Sequence, residues 1–224
     1  MNKFKLLVLG FVLLIKGFVF SQELPPINSY TAKDYKAENQ NWAISQSQNK
    51  YIYVANNKGL LEFNGAAWKL YPTPNETVMR SVKVISEEVF TGFYMDFGFW
   101  KKDRFGQLYF TSIVKKENIQ MLEDEQIWNI IELDGWVLFK SLKRIYLYNI
   151  ESKEVKVIEA EFRIHKLSKV NGIIYFQEGN KGVFKIENGI PKLISNHSIL
   201  KDPVVVEFFV KDEQLLILTQ KKGF

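Results

Sequence analysis

No cysteine occurs among the 224 residues. A disulfide scaffold, a thiol nucleophile and every thiolate metal site are therefore excluded. Histidine is almost as scarce. His165 and His197, far apart in the chain, are too few for a His-rich zinc centre or a Ser-His dyad with its supporting parts. Helix periodicity is nearly missing, and only residues 118–126 have room for a turn or two. The GxGxxG pattern is absent, and with it a phosphate loop opening a helix. What the chain does hold is apolar and aromatic: 46% hydrophobic residues, with 18 Phe, 10 Tyr and 5 Trp. That is ample for the core of one domain and too much for a disordered segment.

The formal charge of +5 hints at nucleic acid until the N-terminus is set aside. Residues 1–21 read as a secretory signal. Lys3 and Lys5 form the positive start, residues 6–20 are apolar except Lys16, and Val19-Phe20-Ser21 precedes a cleavage point before Gln22. An uncleaved anchor is disfavoured because fifteen helical residues reach only about 22 Å, against a hydrocarbon core of about 30 Å. A lipid-modified start needs the cysteine that the chain lacks. Cleavage removes three lysines, leaving 27 basic against 25 acidic residues, or +2. The remainder, with no second long apolar run, is expected outside the cytoplasm, anchored only if a longer parent supplies a transmembrane helix.

From residue 42 onward the apolar period is two, the mark of strands. Inner strands are read at 42–47, 81–86, 127–133, 164–170 and 204–210. Tight turns follow, among them Asp134-Gly135 and Asn171-Gly172. Second strands are read at 51–55, 89–94, 136–140, 173–177 and 215–219. Their Tyr, Phe, Ile and Val content suits strands covered on both faces. Third strands open at Gly59, Gly98, Lys143, Gly182 and Gly223, at intervals of 39, 45, 39 and 41 residues. Fourth strands are read at 68–71, 107–113, 154–158 and 190–194. Pro191 is tolerated there because the fourth strand is an edge.

Four antiparallel strands about every 40 residues predict an all-β fold, a β-propeller of four-stranded blades. One such sheet cannot bury both faces, and stacked neighbours do so for each other. A β-sandwich would need crossovers that the regular intervals do not provide. The expected organisation is a signal at 1–21, a lead-in at 22–41 and a propeller over 42–224, with blades at 42–71, 80–113, 127–159, 164–194 and 204–224. The chain stops within its fifth unit, so an incomplete propeller, the N-terminal piece of a longer frame, is expected. Its open edges invite self-association. A small closed ring, with residues 30–38 completing the fifth blade, is the alternative.

The run GLLEFNGAAWKLY at 59–71 resembles the Bacteroidetes two-component regulator propeller repeat, whose core is Gly-Leu, an aromatic, Asp/Asn-Gly, Trp and a terminal Tyr. TGFYMDFGFW at 91–100 and the following GQLYFTS look like its second blade. Blade three departs, with Lys143 in the glycine slot and no Trp in its fourth strand. The resemblance implies a periplasmic sensor, followed in the parent by a triple-tyrosine domain, a membrane helix and a cytoplasmic output of LuxR or histidine-kinase type. Those downstream regions are the implied partners.

Gly59, Gly65, Gly98, Gly182, Trp68 and Tyr71 read as structural repeat residues, serving turns, close approaches and packing between blades. Ligand-binding candidates sit on one rim, where the second-to-third strand connections converge: Asn56, Asn57 and Lys58; Tyr94 and Asp96; Lys143; Glu178, Asn180 and Lys181. The connections between blades add Arg80. This mixture of amides, charges and a phenol suits a polar, anionic or sugar-like extracellular ligand. Glu117, Glu123, Asp124 and Glu125 lack the oxygen spacing of a calcium loop and read as solvated charge. His165 reads as a packed or rim histidine. No carboxylate pair stands where glycoside chemistry would need it. No metal, cofactor or catalytic residue is expected.

Two function classes remain open on sequence. One is an exported sensing module; the other is a secreted propeller enzyme acting on polysaccharide. A passive protein-binding scaffold is a weaker third. Nucleic-acid binding by this region is not expected, since it has neither a helix-turn-helix nor a basic stripe.

Overall fold

The structure, a computed structural model, describes residues 26–201, 204–221 and 223. The described residues from Thr31 onward form one compact unit. The signal read at 1–21 lies outside the described residues.

Strand-forming residues meet turn chemistry at short intervals, and the result is a series of meanders. The first sheet is β1 (Asn41–Gln46), β2 (Ile52–Asn56), β3 (Gly59–Phe63) and β4 (Trp68–Tyr71). The second is β5 (Met79–Ile85), β6 (Glu88–Phe93), β7 (Asp96–Lys102) and β8 (Leu108–Ser112). The third is β9 (Asn129–Leu133), β10 (Trp136–Lys140), β11 (Arg144–Asn149) and β12 (Val155–Glu159). The fourth is β13 (Ile164–Val170), β14 (Ile173–Glu178), β15 (Gly182–Glu187) and β16 (Ile190–Ser195). Two strands, β17 (Val205–Lys211) and β18 (Gln214–Thr219), follow, and Gly223 bridges back to Thr219. Each sheet is antiparallel in sequence order, and the inner strands β1, β5, β9, β13 and β17 lie successively side by side. Among the described residues no strand joins the last sheet to the first. This is an incomplete β-propeller of four-stranded blades.

The hairpin turns follow their residues. Asp134 and Gly135, Asn171 and Gly172, and Asn188 and Gly189 all take positive φ, as a two-residue primed turn requires. Asp212-Glu213 makes the same left-handed pair without glycine.

Period-two alternation sends each central strand to two cores. Val137 and Phe139 of β10 face blade two, packing with Phe90 and Phe97, while Leu138 faces blade four with Ile174 and Phe176. Tyr175 of β14 turns the other way, onto Val205 and Phe208. The core between blades two and three is the most aromatic, with the Phe97 and Phe139 rings 4.4 Å apart and Phe97 and Tyr146 5.1 Å apart. Aromatic burial of this kind dominates core energetics.

Gly59 and Gly182 open their third strands at φ +133° and +125°, and a Cβ there would overlap the carbonyl oxygens of Tyr71 and Ser195. The glycine lets the end of the fourth strand close over the third. Gly98 makes the same approach to the Thr111 carbonyl, but from inside β7, which starts at Asp96.

Several boundaries differ from the sequence reading. Residues 118–126 form no helix; the helical turn is α2 (Ile113–Lys116), because Ser112 Oγ accepts the Lys115 N–H at 3.0 Å and caps it. Ile113 therefore leaves β8. β9 starts at Asn129, since Ile127 and the preceding residues stay with the neighbouring blade through Ile127 N–H to the Phe93 carbonyl. Within 30–38 lies a helical turn, α1 (Ala32–Tyr35), that packs on blade one with Val54 and Leu61 rather than completing the fifth blade. A third turn, α3 (Ser198–Lys201), lies in the connection to β17.

Candidate functional site

The rim begins where the inner strands begin. In four of the five inner strands the ladder slips at its first residues: at Trp42, at Arg80, at His165-Lys166 and at Val206. A bulge re-aims the extra side chain out of the pleat. In blade three, whose ladder starts at Asn129, Trp128 is tied in by its N–H to the Lys140 carbonyl at 2.8 Å. Equivalent positions in successive blades thus present Trp42, Arg80, Trp128 and His165.

The first three of these meet. The Arg80 guanidinium lies 3.9 Å from the Trp42 ring and 4.8 Å from the Trp128 ring, and the two indoles contact edge to face at 6.0 Å. Arg80 Nε donates to Gln126 Oε1 at 2.8 Å, and burial draws its pKa down from the usual guanidinium value. Arg80 Nη1 is buried without a hydrogen-bond partner among the described residues. Trp42 Nε1 donates to Asn57 Oδ1 at 2.8 Å, and Asn57 Nδ2 donates to Glu38 at 2.8 Å. Trp42 is nevertheless 40% exposed, so an aromatic face is open at the rim.

The remaining candidates divide into open and occupied groups. Tyr94 is half-buried; its hydroxyl donates to Asp124, and that hydrogen bond, with the carboxylate's charge, raises the phenol's pKa. Lys58 and Lys143 are exposed, Lys58 beside Glu38 at 3.8 Å. Lys181 pairs with Glu161 at 2.9 Å, and Asn180 is exposed. Asn56 is fully buried: its amide donates to the carbonyls of Glu38 and Gln40 and to Asn41 Oδ1, and accepts from Glu38 and Lys58 N–H groups. Glu178 is buried and accepts the N–H groups of Glu161 and Phe162 at 2.9 and 3.1 Å. Asp96 is buried against Ser112 Oγ at 2.6 Å, and burial raises its pKa. These three side chains are engaged in locking connections.

Of the repeat residues, Tyr71 packs between blades against Trp100, whereas Trp68 stacks on Phe63 and meets Tyr35 of α1. Gly65 takes φ +95° in its turn. Glu125, expected in solvent, is buried and accepts the Tyr146 hydroxyl at 2.6 Å. Burial carries that tyrosine's pKa above its usual value. No metal-ligating cluster is found among the described residues.

A second feature adjoins the Arg80 sandwich and was not expected from sequence. A cleft of about 240 Å³ opens between blades three and four, lined by Trp128, Asn129, Lys140, Arg163, His165 and Lys166 among others. Lys140 is 6% exposed, and among the described residues its ammonium makes no hydrogen bond or ion pair. Burial, with Arg163 and Lys166 nearby, holds its pKa down to about 8. Burial, Arg163 and Lys140 likewise lower that of His165. Lys140 ends a strand that alternates normally, so only the register of blade three reveals its burial.

No family model matches the chain, and no curated protein matches it. Solved structures do. One is the extracellular domain assigned to a hybrid two component system, BT4673, from B. thetaiotaomicron, at 14% identity and TM-score 0.56, covering 80% of this chain and 25% of that one. Another is the corresponding domain assigned to BT3049 of the same organism, at 16% identity and TM-score 0.59, covering 91% and 28%. A third is apo AztD from Citrobacter koseri, at 11% identity and TM-score 0.53, covering 79% and 53%. The chain spans about a quarter of the length of the first of these. Identities this low speak for the fold. No helix among the described residues is long and apolar enough to cross a membrane. In its run of propeller blades the chain is similar to the extracellular domains of Bacteroides two-component regulators, the same group that the 59–71 repeat resembles.

Proposed function

We propose that the chain is the exported, ligand-sensing propeller region of a membrane-spanning signal-transduction regulator and has no catalytic activity of its own. A signal at 1–21 would direct export, and triple-tyrosine and membrane regions of a parent protein would carry the signal inward. The observation that carries this reading is the rim itself: Trp42, Arg80 and Trp128, from three successive blades, gather into one aromatic and cationic surface. Asn57, Gln126 and Tyr94 flank it with polar groups. Such a surface binds and orients a polar ligand, and it presents no nucleophile-and-base pair.

The test is a titration of the full chain with neutral and acidic oligosaccharides, followed by thermal midpoint and tryptophan emission. A saturable shift is expected that weakens in Arg80→Met and Asn57→Ala, with the ligand recovered chemically intact. Recovery of cleaved sugar would favour the polysaccharide-processing enzyme. No saturable shift across the panel would remove the sensing role.

A further inference from the structure

A buried ammonium ordinarily has a counter-ion, because desolvation of an unpaired charge costs several kcal/mol. Lys140 has none among the described residues, and its closest charged surroundings are of its own sign. Arg163, His165 and Lys166 approach it from β13 and the connection before it. Lys143 follows three residues beyond the end of β10. The acids of the region are engaged elsewhere: Glu207 holds Lys166 at 2.7 Å, Glu178 holds two backbone N–H groups, and Glu161 holds Lys181. Among the described residues the cleft therefore combines three basic side chains without an ion-pair partner, Lys140, Arg163 and His165, with space that no acidic side chain fills.

We propose that this cleft is an oxyanion-binding site, in which Lys140, Arg163 and His165 hold the carboxylate, sulfate or phosphate group of a small ligand. The size fits that class. About 240 Å³ is below the range of drug-sized pockets, so the cleft accepts one acidic group and leaves the attached body to the rim beside Trp128. Arg163 supplies a planar fork, Lys140 a point charge in a place shielded from water, and His165 a ring that gains a second donor on protonation. The assignment rests on the ligand-sensing reading, and it names the chemistry of the ligand group that such a region would take.

Lysine acylation of the full chain, read by mass spectrometry with and without inorganic sulfate, tests the site directly. Sulfate keeps its charge across the working range, so any pH dependence belongs to the protein. At pH 8 Lys140 is partly neutral and should label. Bound sulfate restores its proton; a return of about one unit takes the neutral fraction at pH 8 from about a half to about a tenth and slows labelling about fivefold, while exposed Lys143 is unaffected. Protection should weaken as pH rises through about 8 and disappear in Arg163→Gln, an exposed position where folding is not at risk. Acetate and phosphate arms distinguish planar from tetrahedral oxyanions. Unchanged labelling of Lys140 in all three salts, or equal protection of Lys143, would overturn the site. Anion protection without any response to oligosaccharides would keep the site and remove the sensing role, so the two failures are separable.

Discussion

Lys140 and Glu178 stand at the same place in neighbouring blades. Each ends the second strand and lies opposite the first paired residue of the inner strand, Asn129 for one and Ile164 for the other. Asn56 occupies that place in blade one, opposite Asn41. All three are buried, but only two are tied to the backbone. Asn56 fastens the lead-in at Glu38 and Gln40, and Glu178 fastens the connection at Glu161 and Phe162. In blade three the incoming connection is already fastened. Glu125 accepts the Tyr146 hydroxyl, Met95 N–H reaches the Glu125 carbonyl, and Trp128 N–H reaches that of Lys140. The longer connection supplies its own lock, and the side chain at this position is released from a structural duty. Where the fold makes no demand, a buried cation is a cost without a structural return.

Breaking the structural member of the pair should have the largest effect. Glu178→Ala orphans the Glu161 and Phe162 N–H groups, and unmade buried hydrogen bonds cost about 1–3 kcal/mol each. A loss of about 3 kcal/mol in urea unfolding is expected, with the m-value unchanged. Asn56→Ala removes two N–H donors shared among three acceptors and an oxygen that accepts two N–H groups at a fully buried site, for a loss of about 2–3 kcal/mol. A loss under half a kcal/mol for either would remove the contrast on which the comparison stands.

Lys140→Met should act in the opposite direction. It keeps the apolar stem and deletes the desolvated charge, so a gain of about 1–2 kcal/mol at neutral pH is expected. The sign with pH follows from the depressed pKa. Between about 8 and the unfolded value near 10.5 the folded chain binds fewer protons than the unfolded one. Stability from this group therefore rises with pH across that window and is at its lowest below about 8. Wild type should gain stability there and Lys140→Met should not. Parallel pH profiles for the two proteins would show that Lys140 is not desolvated in solution.

The blade pattern was legible because a strand buried on both faces must be apolar throughout, and the Asp-Gly and Asn-Gly turns fix its ends. The rim was legible only in part. Arg80, Asn57 and Tyr94 came into view through the convergence of loops, and Arg80 and Asn57 do meet Trp42. Trp42 and Trp128 read as ordinary members of inner strands, because a bulge leaves no trace in the alternation of residue types. Lys140 and Glu178 look alike on paper, two charged residues at strand ends. What separates them is that Glu178 meets backbone N–H groups 16 and 17 residues away, while the Lys140 ammonium meets no partner among the described residues. Glu125 was missed for the same reason: an acidic run reads as solvated until Tyr146 is found opposite it.

The smallest effect on stability is expected at Arg80, and there it is the spectrum that sharpens the comparison between rim and core. Arg80→Met removes two cation–π contacts worth about 0.5–1 kcal/mol each at a half-exposed site and one bond to Gln126. It also removes Nη1, a donor buried without a partner among the described residues. These contributions oppose one another, so the net change should stay within about 1 kcal/mol. Tryptophan emission should nonetheless shift, because Trp42 and Trp128 lose the cation between them while Trp100, donating to Thr91 inside blade two, keeps its surroundings. A fold left intact with an altered rim is the behaviour of a surface arranged for a ligand. A loss of 3 kcal/mol or more, the scale of a core truncation, would instead assign the Arg80 sandwich to the framework that holds the first three blades together.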